Sequence, residues 1–334
     1  MGRTVDLTLE APLRALLDGK AKPPGALGRL DDLAVQLGML QRSLRPVVTD
    51  PVILVFAGDH GAVASGASAY PSAITAAMVG LFLEGRAAIN AVAAAVGARL
   101  VVVDAGVAAV LPARPGLIDA KVAAGTADFL HAPAMTRNQA ALSMARAGGI
   151  VDGLADGGCT VLALGEMGIG NTASAVLLAH KVAGVALQAG RGAGQDAAGL
   201  ARKQALLERA AGRTRERLGA VDALAEYGGF EIAMLVGAIL RGAARGMCVV
   251  VDGVIVTAAV LVARGIEPGC LGACVFAHRS AEESHDAMLA ALGAAPLMDL
   301  GMRLGEGTGA ALAIPLLRAA ALALAGMADL ADLG

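Results

Sequence analysis

The amino-acid sequence predicts an α/β protein: a parallel sheet with helices on both faces. Short apolar, β-branched runs recur along the chain, each closed by glycine or a lone acid, and Ala-rich helical stretches separate them. The runs do not alternate with polar residues, which is how strands buried on both sides read. Alternation of strand and helix calls for crossover connections and therefore parallel strands. Such sheets bind ligands at the carboxyl ends of their strands, so the polar residues that follow each run are the candidates for a site.

Two helical segments, 8–19 and 28–41, come first. Val52-Ile53-Leu54-Val55-Phe56 then leads into Ala57-Gly58-Asp59-His60-Gly61, and helix is expected over 72–96. Leu100-Val101-Val102-Val103 ends at Asp104-Ala105-Gly106, before a helix over 137–155. Thr160 to Leu164 runs into Gly165-Glu166, followed by helical stretches 172–187, 197–218 and 230–245. Cys248 to Val251 ends at Asp252-Gly253 before helix 254–264, and Ala273 to Phe276 ends near His278. A last helical stretch covers 309–330. Segments 1–48 and 288–334 lie outside the alternation and are expected to form a small helical domain from both chain ends, beside a large α/β domain over 49–287.

At 334 residues, 56% hydrophobic and 17% charged, the chain has material for a substantial core. A net charge of −2 without a Lys/Arg stripe argues against a nucleic-acid partner. The mean hydropathy of +0.65 raises the question of a membrane. The longest nearly uncharged run, His60 to Leu83, is broken by Pro71 and several glycines, and no signal-peptide pattern opens the chain. A cytoplasmic protein with no membrane partner is expected. Cys159, Cys248, Cys270 and Cys274 form no CxxC and read as buried, reduced thiols.

GEMGIGNTASAVLLAH (165–180) is a strand exit, a glycine turn and a helix. Gly168 and Gly170 allow close backbone approach, and Asn171 or Thr172 is placed to cap the helix, whose N-terminus suits an anion. An ordinary tight turn has the same pattern, and without a following Lys-Ser/Thr it is no Walker loop. AGRGAG (189–194), containing Gly192, precedes a helix with Arg202 and Lys203, a combination suited to phosphate. In CVVVDGVIVTAA (248–259), Asp252 lacks the second acid of a phosphoribosyl-pyrophosphate loop, and alanines follow Thr257. Asp59-His60 is a candidate acid–base or metal pair. None of the five histidines has HxxxH or HxH spacing, so neither metal nor cofactor is expected. There is no GxSxG elbow. LGMRLGEGTGAAL (300–312) sets Glu306 alone among glycines and apolar residues. A desolvated acid there titrates closer to neutrality and can act as a general base; an exposed loop acid between two helices is the plainer alternative.

Taken together, KPPGALGRLDDLA (22–34), VFAGDHG (55–61), SAYPSAIT (68–75), GEMGIGNT (165–172), GGFEIAMLVGAIL (228–240), VVVDGVI (249–255), AHRSAEESH (277–285) and MRLGEGTGAAL (302–312) occur in this order. The chain thereby resembles the nicotinate-nucleotide:5,6-dimethylbenzimidazole phosphoribosyltransferase family over roughly residues 20 to 328. The resemblance implies a Rossmann-like parallel sheet, a small helical domain from both termini, and a homodimer. It implies transfer of phosphoribose from nicotinate mononucleotide to 5,6-dimethylbenzimidazole, with inversion, in cobalamin lower-ligand synthesis. Glu306 matches the family's general base and Glu166 its second acid. Gly168, Gly192, Lys203 and Ser280 match nucleotide and phosphate contacts, and Gly170, Asn171 and Thr172 share the loop of Gly168; Asp252 is a weaker candidate, for the ribose. Ser72, Met78, Met167 and Leu304 match the pocket for the incoming base. Gly80 and Ala77 depart from the family, being smaller than the polar residues expected there, which suggests tolerance of other benzimidazoles or purines. A catalytically silent nucleotide- or base-binding protein on the same fold is the second reading, against which the presence of Glu306, Glu166 and Lys203 speaks.

Overall fold

The computed structural model describes residues 5–190 and 197–333. Its sheet has six strands among the described residues: β1 (Val52–Gly58), β2 (Arg99–Gly106), β3 (Leu117–Asp119), β4 (Val161–Met167), β5 (Cys248–Val251) and β6 (Cys274–Phe276). All neighbours pair in parallel, in the order β3-β2-β1-β4-β5-β6. Every residue of β1 and β5 is buried, as the unbroken apolar runs require. The winding direction reverses between β1 and β4, which opens a crevice beyond their carboxyl ends.

Helices α1 (Glu10–Asp18) and α2 (Arg29–Gln41) precede the sheet. The stretch expected as one helix over 72–96 is two, α3 (Ala73–Leu83) and α4 (Ala88–Val96). Gly85, at φ +74°, ends the first, and the Asn90 side chain accepts from the Ala87 N–H to start the second. Next come α5 (Arg137–Asp156), α6 (Asn171–Ala183), α7 (Ala197–Gly212), α8 (Ala220–Tyr227), α9 (Phe230–Ala244), α10 (Val254–Ile266), α11 (His285–Leu292) and α12 (Thr308–Gly326). The sequence reading missed β3, α8 and α11, each eight residues or fewer. It also ran α6 on to 187, whereas Gly184 closes it in the left-handed conformation.

Helices lie on both faces. Gly242 of α9 packs on Leu162 and Val249, while Gly307, at the head of α12, packs on Ile53. Ile53 pairs with Ala163, the neighbour of Leu162, so these contacts fall on opposite faces. The chain ends meet: Lys20 pairs with Asp329 at 2.9 Å, and Ala21 and Leu330 donate to Ala328 and Gly19. Helices α1, α2 and α12 pack together there, and α12 also lies on β4 and β5. One continuous apolar cluster includes residues of these helices and of the sheet.

Candidate active site

A cleft of about 390 Å³ opens at the carboxyl ends of the strands. Its walls bring together Met78, Glu166, Met167, Gly168, Gly170, Asn171, Thr172, Asp252, Ser280, Leu304 and Glu306. These residues span more than two hundred positions of the chain. Ser72 and Gly80 do not line it; nothing lies within 4 Å of where a Gly80 side chain would begin. Lys203 is buried behind the wall, donating to the Gly190 carbonyl at 3.2 Å, and burial draws its pKa down while Glu282 opposes that. Gly192 lies outside the described residues. Wall residues not anticipated from sequence include Tyr70, Ile74, His278, Glu282 and Arg303.

Glu306 occupies an unusual backbone. Gly305, Glu306 and Gly307 have φ of +85°, +63° and +81°, three left-handed residues in a row. That conformation is costly for a non-glycine residue and marks functional positions when observed. The Thr308 hydroxyl bonds the Gly305 carbonyl at 2.8 Å, and Asp252 accepts from the N–H groups of Gly307 and Ala310 at 3.2 and 3.0 Å. The Glu306 side chain turns inward, 5% exposed, toward the N-terminus of α4, where Ile89 N–H lies 3.4 Å away. Burial raises its pKa, and that N–H partly restrains the rise. The break between α3 and α4 thus supplies the donor that steadies this carboxylate.

Asp252 therefore braces the loop that carries Glu306 as well as lining the cleft. His278 Nε2 stands 3.4 Å from it. Burial would lower the His278 pKa, but the Asp252 carboxylate outweighs burial and holds it above the ordinary value.

Glu166 lies beside Gly305, and the Asn171 amide donates to it. Asn171 is thus spent on Glu166 and does not cap α6; the cap residue is Gly170, at φ +96°. Burial pushes the Glu166 pKa from 4.5 to about 8, the Asn171 bond opposes this, and the neighbouring acids Asp252, Glu231 and Glu306 add to it. Near pH 7 the group is mostly protonated. Its folded-state pKa lies above the unfolded value, so its contribution to stability is complete below about pH 4.5 and is lost as pH rises through about 8, by up to about 1.4 kcal/mol per pH unit. Glu166→Gln keeps the neutral shape and should flatten the fall in melting temperature between pH 5 and 9. Parallel curves for the two proteins would show that the acid ionises as freely as in the unfolded chain.

Asp59 and His60 serve the scaffold. Asp59 accepts from Ala108 N–H at 2.8 Å, and His60 bridges Glu231 (2.6 Å) and Ser174 (3.1 Å), all buried. This ties the exit of β1 to the first turns of α6 and α9. The four cysteines are free and buried.

Comparison with known proteins places the chain in a family. The family model described as Phosphoribosyltransferase matches residues 3–334. A nicotinate-nucleotide–dimethylbenzimidazole phosphoribosyltransferase of Dechloromonas aromatica (strain RCB) is 52% identical over 98% of this chain and 96% of its own length. The protein of that name from Roseiflexus sp. (strain RS-1) is 47% identical over 99% of this chain and 94% of its own. The crystal structure of CobT from Thermus thermophilus superposes with a TM-score of 0.93 at 41% identity, covering 98% of both chains. With this similarity covering nearly the whole chain, it belongs to the nicotinate-nucleotide–dimethylbenzimidazole phosphoribosyltransferase family.

Proposed function

We propose that this protein moves the phosphoribosyl group of nicotinate mononucleotide onto 5,6-dimethylbenzimidazole, giving α-ribazole 5′-phosphate and nicotinate. The observation that carries the reading is Glu306, a buried carboxylate in a cleft with Met78, Met167, Ile74 and Leu304 in its walls. Those side chains make an apolar slot suited to a flat methylated ring.

The acceptor nitrogen attacks the anomeric carbon as the bond from that carbon to the pyridinium nitrogen breaks, its electron pair passing to nicotinate. Departure neutralises a cationic ring, so the leaving group needs no proton. The other benzimidazole nitrogen gives its proton to Glu306. Attack opposite the departing ring inverts the anomeric centre. Holding two rings on opposite sides of one sugar is chiefly a matter of positioning. Glu166 faces the same space. While protonated it is neutral, and once ionised its charge favours a cationic sugar.

The deciding experiment measures nicotinate release with and without dimethylbenzimidazole, then with benzimidazole and adenine in competition. Release that depends on an added base supports transfer, and none under any condition refutes it. Use of benzimidazole or adenine at comparable rates would support a wider base tolerance, set by the cleft wall and not by Gly80 or Ala77, which lie outside it; a strong preference for dimethylbenzimidazole would remove it.

The same reading includes a cytoplasmic homodimer. The sequence AITAAMVGLFL makes α3 apolar on all sides, yet only Thr75, Val79 and Phe82 of it are buried. Such a helix needs further cover, which a second copy of the chain would provide. Sedimentation should give the mass of two chains; a single-chain mass at working concentration rules the dimer out. Free buried thiols suit a reducing compartment, and cell fractionation tests that placement.

A further inference from the structure

Four carboxylates line the cleft: Glu166, Asp252, Glu282 and Glu306. Three are engaged by the protein. Asn171 donates to Glu166, the N–H groups of Gly307 and Ala310 to Asp252, and Ile89 N–H to Glu306. Glu282 differs. Its Oε2 is buried and accepts no hydrogen bond among the described residues. Buried acceptors are nearly always satisfied, so an orphan in a ligand cleft asks for a donor that arrives with the ligand.

The position is built, not incidental. The Ser280 hydroxyl accepts from the Glu282 N–H at 3.3 Å, and the Ser280 N–H donates to His285 Nδ1 at 2.8 Å. His285 Nε2 is in turn held by the Thr257 hydroxyl at 2.9 Å, and burial lowers the His285 pKa to about 4, so the ring stays neutral. Ala281 N–H bonds the Met302 carbonyl at 2.9 Å, joining this loop to the one that carries Glu306. Opposite Glu282 stands Gly190, where a methyl group would come within 2.5 Å of Oε2, so that the carboxylate would have to shift to admit one.

The substrates of the proposed reaction offer few donors. Phosphate and the nicotinate carboxylate are anions that only accept, and a carboxylate repels them. The benzimidazole has one N–H, which belongs to Glu306. The remaining donors are the two ribose hydroxyls, and a carboxylate accepts a vicinal pair well. Resting on the function proposed above, we propose that Glu282 receives the ribose hydroxyls of the phosphoribosyl donor and makes the enzyme selective for ribose over deoxyribose. Asp252, the acid the sequence suggested for this task, has no such vacancy.

The test compares nicotinate mononucleotide with its 2′-deoxy and 3′-deoxy analogues, each with dimethylbenzimidazole, in wild type, Glu282→Ala and Glu282→Gln. Wild type should favour the ribonucleotide in kcat/KM by about 10- to 100-fold over at least one analogue, the factor expected when a hydrogen bond to a charged acceptor is lost. Glu282→Ala should bring that ratio to within a few fold of one, mainly by losing ground on the ribonucleotide, and Glu282→Gln, which keeps an acceptor, should fall between. Equal losses on ribo and deoxy donors would overturn the inference and leave Glu282 as a counter-ion for Lys203. A wild type that transfers nothing from the ribonucleotide would instead sink the function itself. Matching melting temperatures for the three proteins separate either result from misfolding.

Discussion

Glu306→Gln should lower kcat by about 10²–10⁴, the usual contribution of a positioned general base. Glutamine has the same shape and fits the same left-handed backbone at φ +63°, so the fold and the apolar slot should persist. Its amide oxygen can still accept from Ile89 N–H. It cannot accept the proton that leaves the benzimidazole. The loss should therefore appear in turnover, with dimethylbenzimidazole affinity by titration calorimetry little changed. Turnover within a few fold of wild type would take the role away from this residue. Loss of base affinity together with turnover would show that the side chain holds the ring rather than its proton.

Gly165→Ala should be nearly as damaging, although the residue bears no chemistry. A methyl group there would sit 2.5 Å from Gly307 N, 2.6 Å from the Glu306 carbonyl carbon and 2.7 Å from its oxygen. All three are backbone atoms, so no side chain can swing aside. Strand β4 is pinned between β1 and β5, and the loop is the part that must yield. Its displacement pulls Glu306 from Ile89 and loosens both Asp252 bonds. A shift of about 1 Å can cost about 10²-fold in rate, and overpacking costs about 1–3 kcal/mol of stability. Gly149→Ala, at a helical position with nothing within 4 Å, is the matched control. Similar kinetics for the two variants would mean that the close approach of loop to strand is unimportant.

Much of this architecture was legible in the residues. Val52–Phe56 and Cys248–Val251 read as doubly buried strands because nothing polar interrupts them, and Glu166 stood out as an acid at a strand exit. Glu306 stood out because its surroundings were so bare. The strand order was not legible, since local periodicity carries no information on which run pairs with which. The break at Gly85 was not either: Glu84 and Arg86 suit a helix, and only the left-handed turn between them divides it. The donor to Glu306 is a backbone N–H, which every residue but proline has, so no side chain announced it. The bracing role of Asp252 was hidden for the same reason, because its partners at Gly307 and Ala310 are main-chain groups more than fifty residues away. Glu282 carried no site reading of its own in the sequence, and only the fold places it in the cleft wall beside Gly190.

The clasp between the chain ends reaches further than the periphery. Helix α12 begins two residues after Glu306 and finishes where Lys20 meets Asp329. Trimming the last few residues, or fusing a bulky tag to either end, would strain a lever whose other arm holds Glu306. Damage at the edge of the molecule would then be felt as lost turnover before it was felt as unfolding.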